Sequence, residues 1–261
     1  KSLVLALRTP KNEISQTQQE TLKLASNICK PQPSSHPQAC RVQAMTLKIT
    51  IIGAGMAGIT AARTLVQAGH RVHIFEKSRG AAGRMSTRET VFGTFDHGTQ
   101  YFTVRDPRFS LALQTVAGTK EICRPWSASA VRVLDPMGQV FEAAKQNHDA
   151  HFVASPGMNA LVRHWAQPLG KALHLHNQVQ RMERNAKGQW TLHSINASTR
   201  AEIPETHTGF DRVLLAVPSV QAEQLLRNSG THANDTHFLE AISKVQVAPC
   251  WTLMLAFPNA S

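Results

Sequence analysis

Residues Leu47 to Arg88 read LKITIIGAGMAGITAARTLVQAGHRVHIFEKSRGAAGRMSTR, and the rest of the chain is organised around them. Ile49 to Ile52 is a short β-branched run, the pattern of a buried parallel strand. It leads straight into Gly53-Ala54-Gly55-Met56-Ala57-Gly58. From Met56 to Ala68 the period becomes helical, with Ile59, Ala62, Leu65 and Val66 on one face. Gly69 suits the left-handed position that ends a helix. Val72, Ile74 and Phe75 then form a second strand, which ends at Glu76.

Strand, glycine-rich turn, helix, strand and acid in this order form a dinucleotide-binding fingerprint in its full context. Gly53 allows the tight turn, Gly55 lets the backbone approach a pyrophosphate, and Gly58 lets helix and strand pack closely. The N–H groups at the helix start, around Met56 and Ala57, face the phosphates with help from the helix dipole. Glu76 is placed to accept hydrogen bonds from a ribose diol. The fingerprint alone fits NAD or FAD. A second Gly-rich turn, Lys77-Ser78-Arg79-Gly80-Ala81-Ala82-Gly83-Arg84-Met85, follows at once and brings cations to a second close approach. That points to the longer, doubly charged cofactor, with Arg84 donating to phosphate oxygens or to the cofactor's polar edge.

The stretch resembles the FAD-binding start of the amine-oxidase-like flavoproteins, where an acid is followed by R-G-x-G-G-R. More narrowly it resembles their renalase-like branch. Phe95 to Thr103 is similar to the D-x-G-A-Q-Y-F-T segment of that branch, and Phe152 to Leu161 to its V-x-x-P-G-M-N-x-L segment. Phe210 to Pro218 is similar to its F-D-x-V-x-L-A-V-P strand. The resemblance implies an α/β fold: a Rossmann-like FAD-binding domain with a parallel sheet, plus an incomplete antiparallel-sheet substrate domain. It adds Lys77, Met85 and Val179 to the cofactor contacts, Val179 through its backbone against the adenine. It places Gln100 and Tyr101 beside the flavin, the first at the ring edge and the second walling the substrate pocket.

The reaction it implies is hydride transfer from a reduced nicotinamide, a dihydropyridine, to the flavin N5, with O2 as reoxidant and hydrogen peroxide as product. Such a substrate already carries a transferable hydride and needs no separate acid or base. FAD-dependent amine oxidation is the alternative reaction. A non-catalytic flavin-binding fragment is the alternative of another class, motivated by the expected truncation of the C-terminal part and by Ala82 where the family has glycine.

Composition bounds these readings. The 261 residues can bury a sizeable core, and 42% hydrophobic content is that of a globular protein. No apolar run is long enough to cross a bilayer, and Leu3 to Leu7 is too short for a signal-peptide core. Cys29, Cys40, Cys123 and Cys250 are well separated, which suggests reduced thiols in a cytoplasmic protein with no zinc site. The net charge of +11 is spread along the chain, so it is assigned to a phosphorylated cofactor and an anionic substrate rather than to nucleic acid or a membrane. Thirteen histidines form no metal-spaced cluster, and His97, the one inside a motif, reads as structural.

Residues 1–44, rich in Gln, Ser and Lys with Pro31, Pro33 and Pro37 close together, are expected to be disordered or an upstream extension. Met45 is the expected natural start, directly before the first strand. Residues 45–104 form the first part of the FAD-binding domain, and 105–148 the first part of the substrate domain. Residues 149–226 form the second FAD-binding part, and 227–261 the second, truncated substrate part. The truncation is expected because no late Gly-Asp segment follows Phe257. Within these parts, Asp106-Pro107 starts a helix, and a hairpin turns at Asp135-Pro136-Met137-Gly138. Ser155-Pro156 reads as another helix start, and Leu173 to Met182 as one strand. Trp190 to Leu192 and Val213 to Val217 are further strands, with a helix over Val220 to Leu226.

Overall fold

The computed structural model describes residues 2–6, 45–116, 118–126, 133–134, 137–141, 150–199, 204–230, 236–248 and 251–256. Strand β1 (Ser2–Ala6) precedes the nucleotide-binding core, which starts with β2 (Lys48–Ile52), α1 (Met56–Gln67) and β3 (Arg71–Phe75). The hairpin β4 (Arg88–Thr90) and β5 (Gly93–Phe95) follows, then β6 (Phe102–Thr103). Helices α2 (Pro107–Thr115) and α3 (Thr119–Ile122) lead to β7 (Cys123–Pro125) and to the small hairpin β8 (Val133–Leu134) and β9 (Val140–Phe141). After β10 (His151–Ala154) come α4 (Asn159–Ala166), β11 (Leu173–His174), β12 (Asn177–Arg184), β13 (Trp190–Asn196), β14 (Pro204–Phe210) and β15 (Arg212–Leu215). The last elements are α5 (Ser219–Asn228), α6 (Thr236–Ser243) and β16 (Thr252–Ala256).

The central sheet has the order β11-β3-β2-β15, and all its pairings are parallel. Strand residues alternate between its faces. Ile51 and Ile74, both fully buried, join a core with Ile59 and Ala62 of α1 and Leu161, Val162 and Trp165 of α4. Their neighbours Ile52 and Phe75 join a second core with Met182 of β12, Leu192 of β13, Phe210 of β14 and Leu225 of α5. Helices therefore cover one face. The antiparallel sheet β12-β13-β14 and α5 cover the other. A separate antiparallel sheet, β6-β10-β7, lies outside the parallel one. These sheets match the expected fold class.

Several expected elements are where the residue pattern puts them. Asp106 caps α2, its carboxylate accepting from the Arg108 N–H at 2.8 Å, with Pro107 in the first turn. Strands β8 and β9 pair on either side of the expected turn, of which Asp135 and Pro136 lie outside the described residues and Gly138 stands at φ +79°. Gly69, at φ +85°, follows the end of α1.

Three expectations are corrected. Helix α4 begins at Asn159, not at Ser155-Pro156. Its first N–H groups are satisfied from a distant segment: Asp96 Oδ1 accepts from Met158 N at 2.8 Å, and Thr87 Oγ1 accepts from Asn159 N at 3.1 Å. The stretch Leu173 to Met182 is two strands. His176 adopts a left-handed φ of +55° and breaks them, so Leu173–His174 stays in the parallel sheet while Asn177 starts the antiparallel one. Finally, of residues 1–44, expected to be disordered or an upstream extension, Ser2–Ala6 is a strand. Ser2–Ala6 carries the apolar run Leu3-Val4-Leu5 and pairs antiparallel with β16 along the register Ser2↔Ala256 to Ala6↔Thr252. The rest of that stretch, with Cys29 and Cys40, lies outside the described residues, as does Cys250.

Candidate cofactor site

Strand β2 ends at Ile52 and the chain reverses over Gly53 into α1. Gly53 has φ +104°, and a side chain there would meet the Ala216 carbonyl oxygen at 2.6 Å. A Cβ on Gly58 would collide with the Gly53 carbonyl oxygen. These two glycines thus hold helix, turn and neighbouring strand in contact, as the spacing predicts. Gly55 differs. A Cβ there would meet only the Gly83 Cα, at 3.7 Å. Gly55 also forms a parallel bridge with Ala82, which joins the two Gly-rich turns through their backbones.

The N-terminus of α1 has Gly55 as its cap residue, no side-chain cap and no acid in its first turn. Its leading N–H groups have no intrahelical acceptor, which leaves positive potential for an anion. Glu76 is buried, at 8% exposure. One carboxylate oxygen accepts from Ala54 N at 2.8 Å and the other from Ser78 N at 2.8 Å. The acid therefore braces both turns at once. Each of its oxygens keeps a further lone pair for a ligand hydroxyl.

A cavity of about 930 Å³ opens along these groups. Gly53, Gly55, Met56, Ala57, Glu76, Lys77, Arg84, Met85 and Val179 line it, together with Gly83, Asn177, Gln178 and Ala216. Gly58 lies behind it as a packing residue. The volume is at the upper end of the ~300–1,000 Å³ typical of ligand pockets, as an extended dinucleotide requires. The residues fit FAD: an uncapped helix start for phosphate, a carboxylate at the end of β3, cations Lys77 and Arg84, and residues of β12 at one wall.

Ala82 stands at φ −171°, extended backbone that any residue adopts, so alanine fits where the family pattern has glycine. The left-handed residue of the second turn is Gly83, at φ +57°. Gln100 and Tyr101 are not among the residues lining the cavity. The Gln100 amide donates to the Gly98 carbonyl at 3.1 Å. Tyr101 packs against Trp126 (5.4 Å between ring centroids) and His151 (4.2 Å). The segment before them is tied to the cavity wall, since the Arg84 carbonyl accepts from Thr99 N at 2.9 Å and from Thr99 Oγ1 at 3.2 Å. A Cβ on Gly98 would collide with the same carbonyl. His97 Nε2 lies 3.2 Å from Ser86 Oγ.

Sequence reasoning did not single out Asp96, Thr87 or Asn177. Asp96 lies inside a quoted motif, and its capping role shows only once β5 and α4 are brought together. Among the described residues, no group of three or more His, Cys, Asp or Glu is placed to hold a metal ion. No helix among them is long and apolar enough to cross a membrane.

Residues 51–114 match the NAD(P)-binding Rossmann-like domain family, and residues 138–261 match the flavin containing amine oxidoreductase family. Over 52 residues the chain is 44% identical to 4,4'-diapophytoene desaturase (4,4'-diaponeurosporene-forming) of Staphylococcus aureus, a match covering 20% of this chain and 10% of that protein. Among solved structures, an Exiguobacterium sp. 255-15 protein assigned provisionally as a protoporphyrinogen oxidase is similar with a TM-score of 0.52 and 13% identity, over 70% of this chain and 62% of that one. A double mutant of putrescine oxidase, made in a redesign of its cofactor binding, is similar with a TM-score of 0.50 and 14% identity, over 69% of this chain and 60% of that one. The chain thus spans under two thirds of the length of these relatives, and at such identities the solved structures speak for the fold. Taken with the glycine cradle and its acid, the chain is therefore similar to NAD(P)-binding Rossmann-like sequences over residues 51–114 and to flavin containing amine oxidoreductases over residues 138–261, and the cofactor these matches support is FAD.

Proposed function

We propose that the chain is the FAD-binding part of a renalase-like oxidoreductase, which takes a hydride from a reduced nicotinamide substrate and passes the electrons to O2. The observation that carries this reading is the continuous cavity that runs past both Gly-rich turns, Glu76, Arg84 and β12. Bound FAD supplies the hydride-accepting ring. The chain's own residues bind and orient it. The α1 N-terminus offsets pyrophosphate charge, and Glu76 accepts from the ribose hydroxyls. Lys77 and Arg84 donate to phosphate or to the polar edge, Met85 packs beside them, and the Val179 backbone meets the adenine. Gln100 and Tyr101 follow directly on Thr99, which holds the Arg84 carbonyl, and this keeps them as candidates beside the reacting ring.

A second reading, FAD-dependent amine oxidation, is favoured by the match of residues 138–261 to the flavin containing amine oxidoreductase family. Anaerobic mixing of the FAD-loaded protein with dihydropyridine isomers and with amines separates the two. Bleaching of the flavin absorbance by dihydropyridines supports the first reading. Bleaching by amines alone overturns it in favour of the second. A chain that stays colourless with added FAD overturns both.

A further inference from the structure

Three histidines meet where the parallel sheet and the β12-β13-β14 sheet face each other. His73 of β3 and His174 of β11 lie edge to edge, Nδ1 to Nε2 at 3.1 Å, with ring planes 8° apart. Phe75 lies beside both His174 (4.8 Å between centroids) and His207 of β14 (4.6 Å). His174 and His207 are 6.2 Å apart, and Phe210 closes the group edge-on to His73 at 5.5 Å. The second core is thus edged by a cluster of imidazole rings packed on Phe75 and Phe210.

The charged groups around the stack are unevenly placed. Glu205 of β14 lies 3.7 Å from His207 Nε2, and Ser194 Oγ of β13 lies 3.1 Å from the same atom. Lys48 of β2 sits 4.5 Å over the Phe210 ring and donates to the Thr208 carbonyl at 2.8 Å. The Asp211 carboxylate is engaged by the Lys48 N–H at 2.7 Å, and Arg71, two residues before His73, is exposed. His193, the residue before Ser194 on β13, pairs with Glu183 instead. Among the described residues His73 therefore faces His174, His207 and Lys48 with no acid acting on it, and burial first and then these groups hold it below the ordinary imidazole range. Burial also lowers His174 and His207, while Glu205 partly opposes the shift.

Neutral rings suit this arrangement. In the His73–His174 hydrogen bond one nitrogen donates and the other accepts. When both rings are protonated, both nitrogens carry hydrogens. The bond is lost and like charges are packed together. The stack also adjoins the cofactor cavity. Phe75 lines it, the His174 carbonyl accepts from Glu76 N at 2.9 Å, and Glu205 accepts from the amide of Asn177, a lining residue, at 3.3 Å.

We propose that the His73–His174–His207 stack is an acid-sensitive latch: neutral, it clamps the β12-β13-β14 sheet to the parallel sheet, and protonated, it loosens that clamp and weakens the hold on the flavin nucleotide. The cofactor half of this rests on the FAD reading above. The sign follows from the lowered imidazoles: stability is full above the range where free histidine titrates and is lost as pH falls through the folded-state values.

The test is amide hydrogen exchange of β12–β14 in the full chain, corrected for intrinsic rates, together with FAD titration by fluorescence. Both are run between about pH 7.5 and about pH 5.5, where imidazoles titrate. In the unmodified protein, exchange in β12 and the FAD dissociation constant are each expected to rise about tenfold on acidification, a usual size for linkage between sites. His73→Phe keeps a ring in the stack and is expected to flatten both responses. His174→Gln, which keeps a hydrogen-bonding partner for His73, serves the same purpose should the first variant not fold. Acid-independent exchange in the unmodified protein, or an undiminished response in a folded variant, overturns the latch. Acid-dependent exchange with a constant FAD affinity overturns its coupling to the cavity. Absence of FAD binding at neutral pH counts against the functional reading, and the exchange measurement still judges the latch.

Discussion

The Asp96 carboxylate accepts the Met158 N–H at 2.8 Å across 62 positions of sequence, while also accepting the Thr87 hydroxyl at 2.6 Å. Thr87 in turn accepts the Asn159 N–H. A residue of a motif that reads as cofactor-binding thus caps the start of α4, whose Leu161, Val162 and Trp165 fill the first core. Asp96→Ala is expected to lower stability by about 1–2 kcal/mol, the size of a lost helix cap. Denaturant unfolding without FAD checks this. An unchanged midpoint would mean that the cap carries no weight.

Glu76 braces both turns, and under the FAD reading it also meets the ligand. Glu76→Ala leaves the Ala54 and Ser78 N–H groups without their acceptor, and a buried unsatisfied donor costs about 1–3 kcal/mol. The variant should therefore be less stable even without FAD, and its FAD affinity should also fall. Paired unfolding curves and FAD titrations separate the two effects. Loss of affinity with unaltered unfolding would assign the acid to the ligand alone.

Gly55 and Gly58 should respond differently to the same change. A Cβ on Gly55 touches only Gly83, so Gly55→Val should keep the fold and lose the FAD, because its methyl groups occupy the line of approach to the pyrophosphate. Gly58→Val drives a side chain into the Gly53 carbonyl and should prevent folding. Circular dichroism and the bound-flavin spectrum read the contrast. A Gly55→Val protein with full flavin occupancy would remove the phosphate cradle from this turn.

Arg84→Ala should weaken FAD binding about tenfold, the weight of one charge-assisted hydrogen bond. The Arg84 carbonyl would still be held by Thr99, so the turn should keep its shape. Unchanged occupancy would return the guanidinium to solvent.

Burial pushes the Cys123 thiol up to about 11. Little thiolate exists near neutrality, so iodoacetamide should modify Cys123 slowly at about pH 8 compared with a free thiol, and faster after unfolding. Mass spectrometry of the labelled peptide gives the rate.

The parts of the fold that were legible in the sequence are those set by local periodicity. The β-branched run, the helical spacing from Met56 and the acid at the end of the second strand each carry their own signal, and the parallel sheet follows from them. The missed features depend on partners far away in sequence. Ser155-Pro156 has the chemistry of a helix start, yet Asp96 and Thr87 cap the helix from another segment and move its start to Asn159. The break at His176 rests on one left-handed residue with no Gly or Pro to mark it. β1 pairs with a strand from the far end of the sequence, Ser2 with Ala256 at one end of the register, which composition cannot reveal. The imidazole rim leaves no mark in the sequence because His73, His174 and His207 come from β3, β11 and β14 and share no spacing.

Ile51 and Ile52 feed opposite cores from adjacent positions, and Gly53 comes directly after them. Damage to packing on either side of the sheet therefore reaches the Gly53 turn, which the FAD reading assigns to the pyrophosphate, within a residue or two. The yellow colour of the loaded protein should dim for lesions on both faces alike, which would let it serve as a plate-reader gauge of folding in a mutant library.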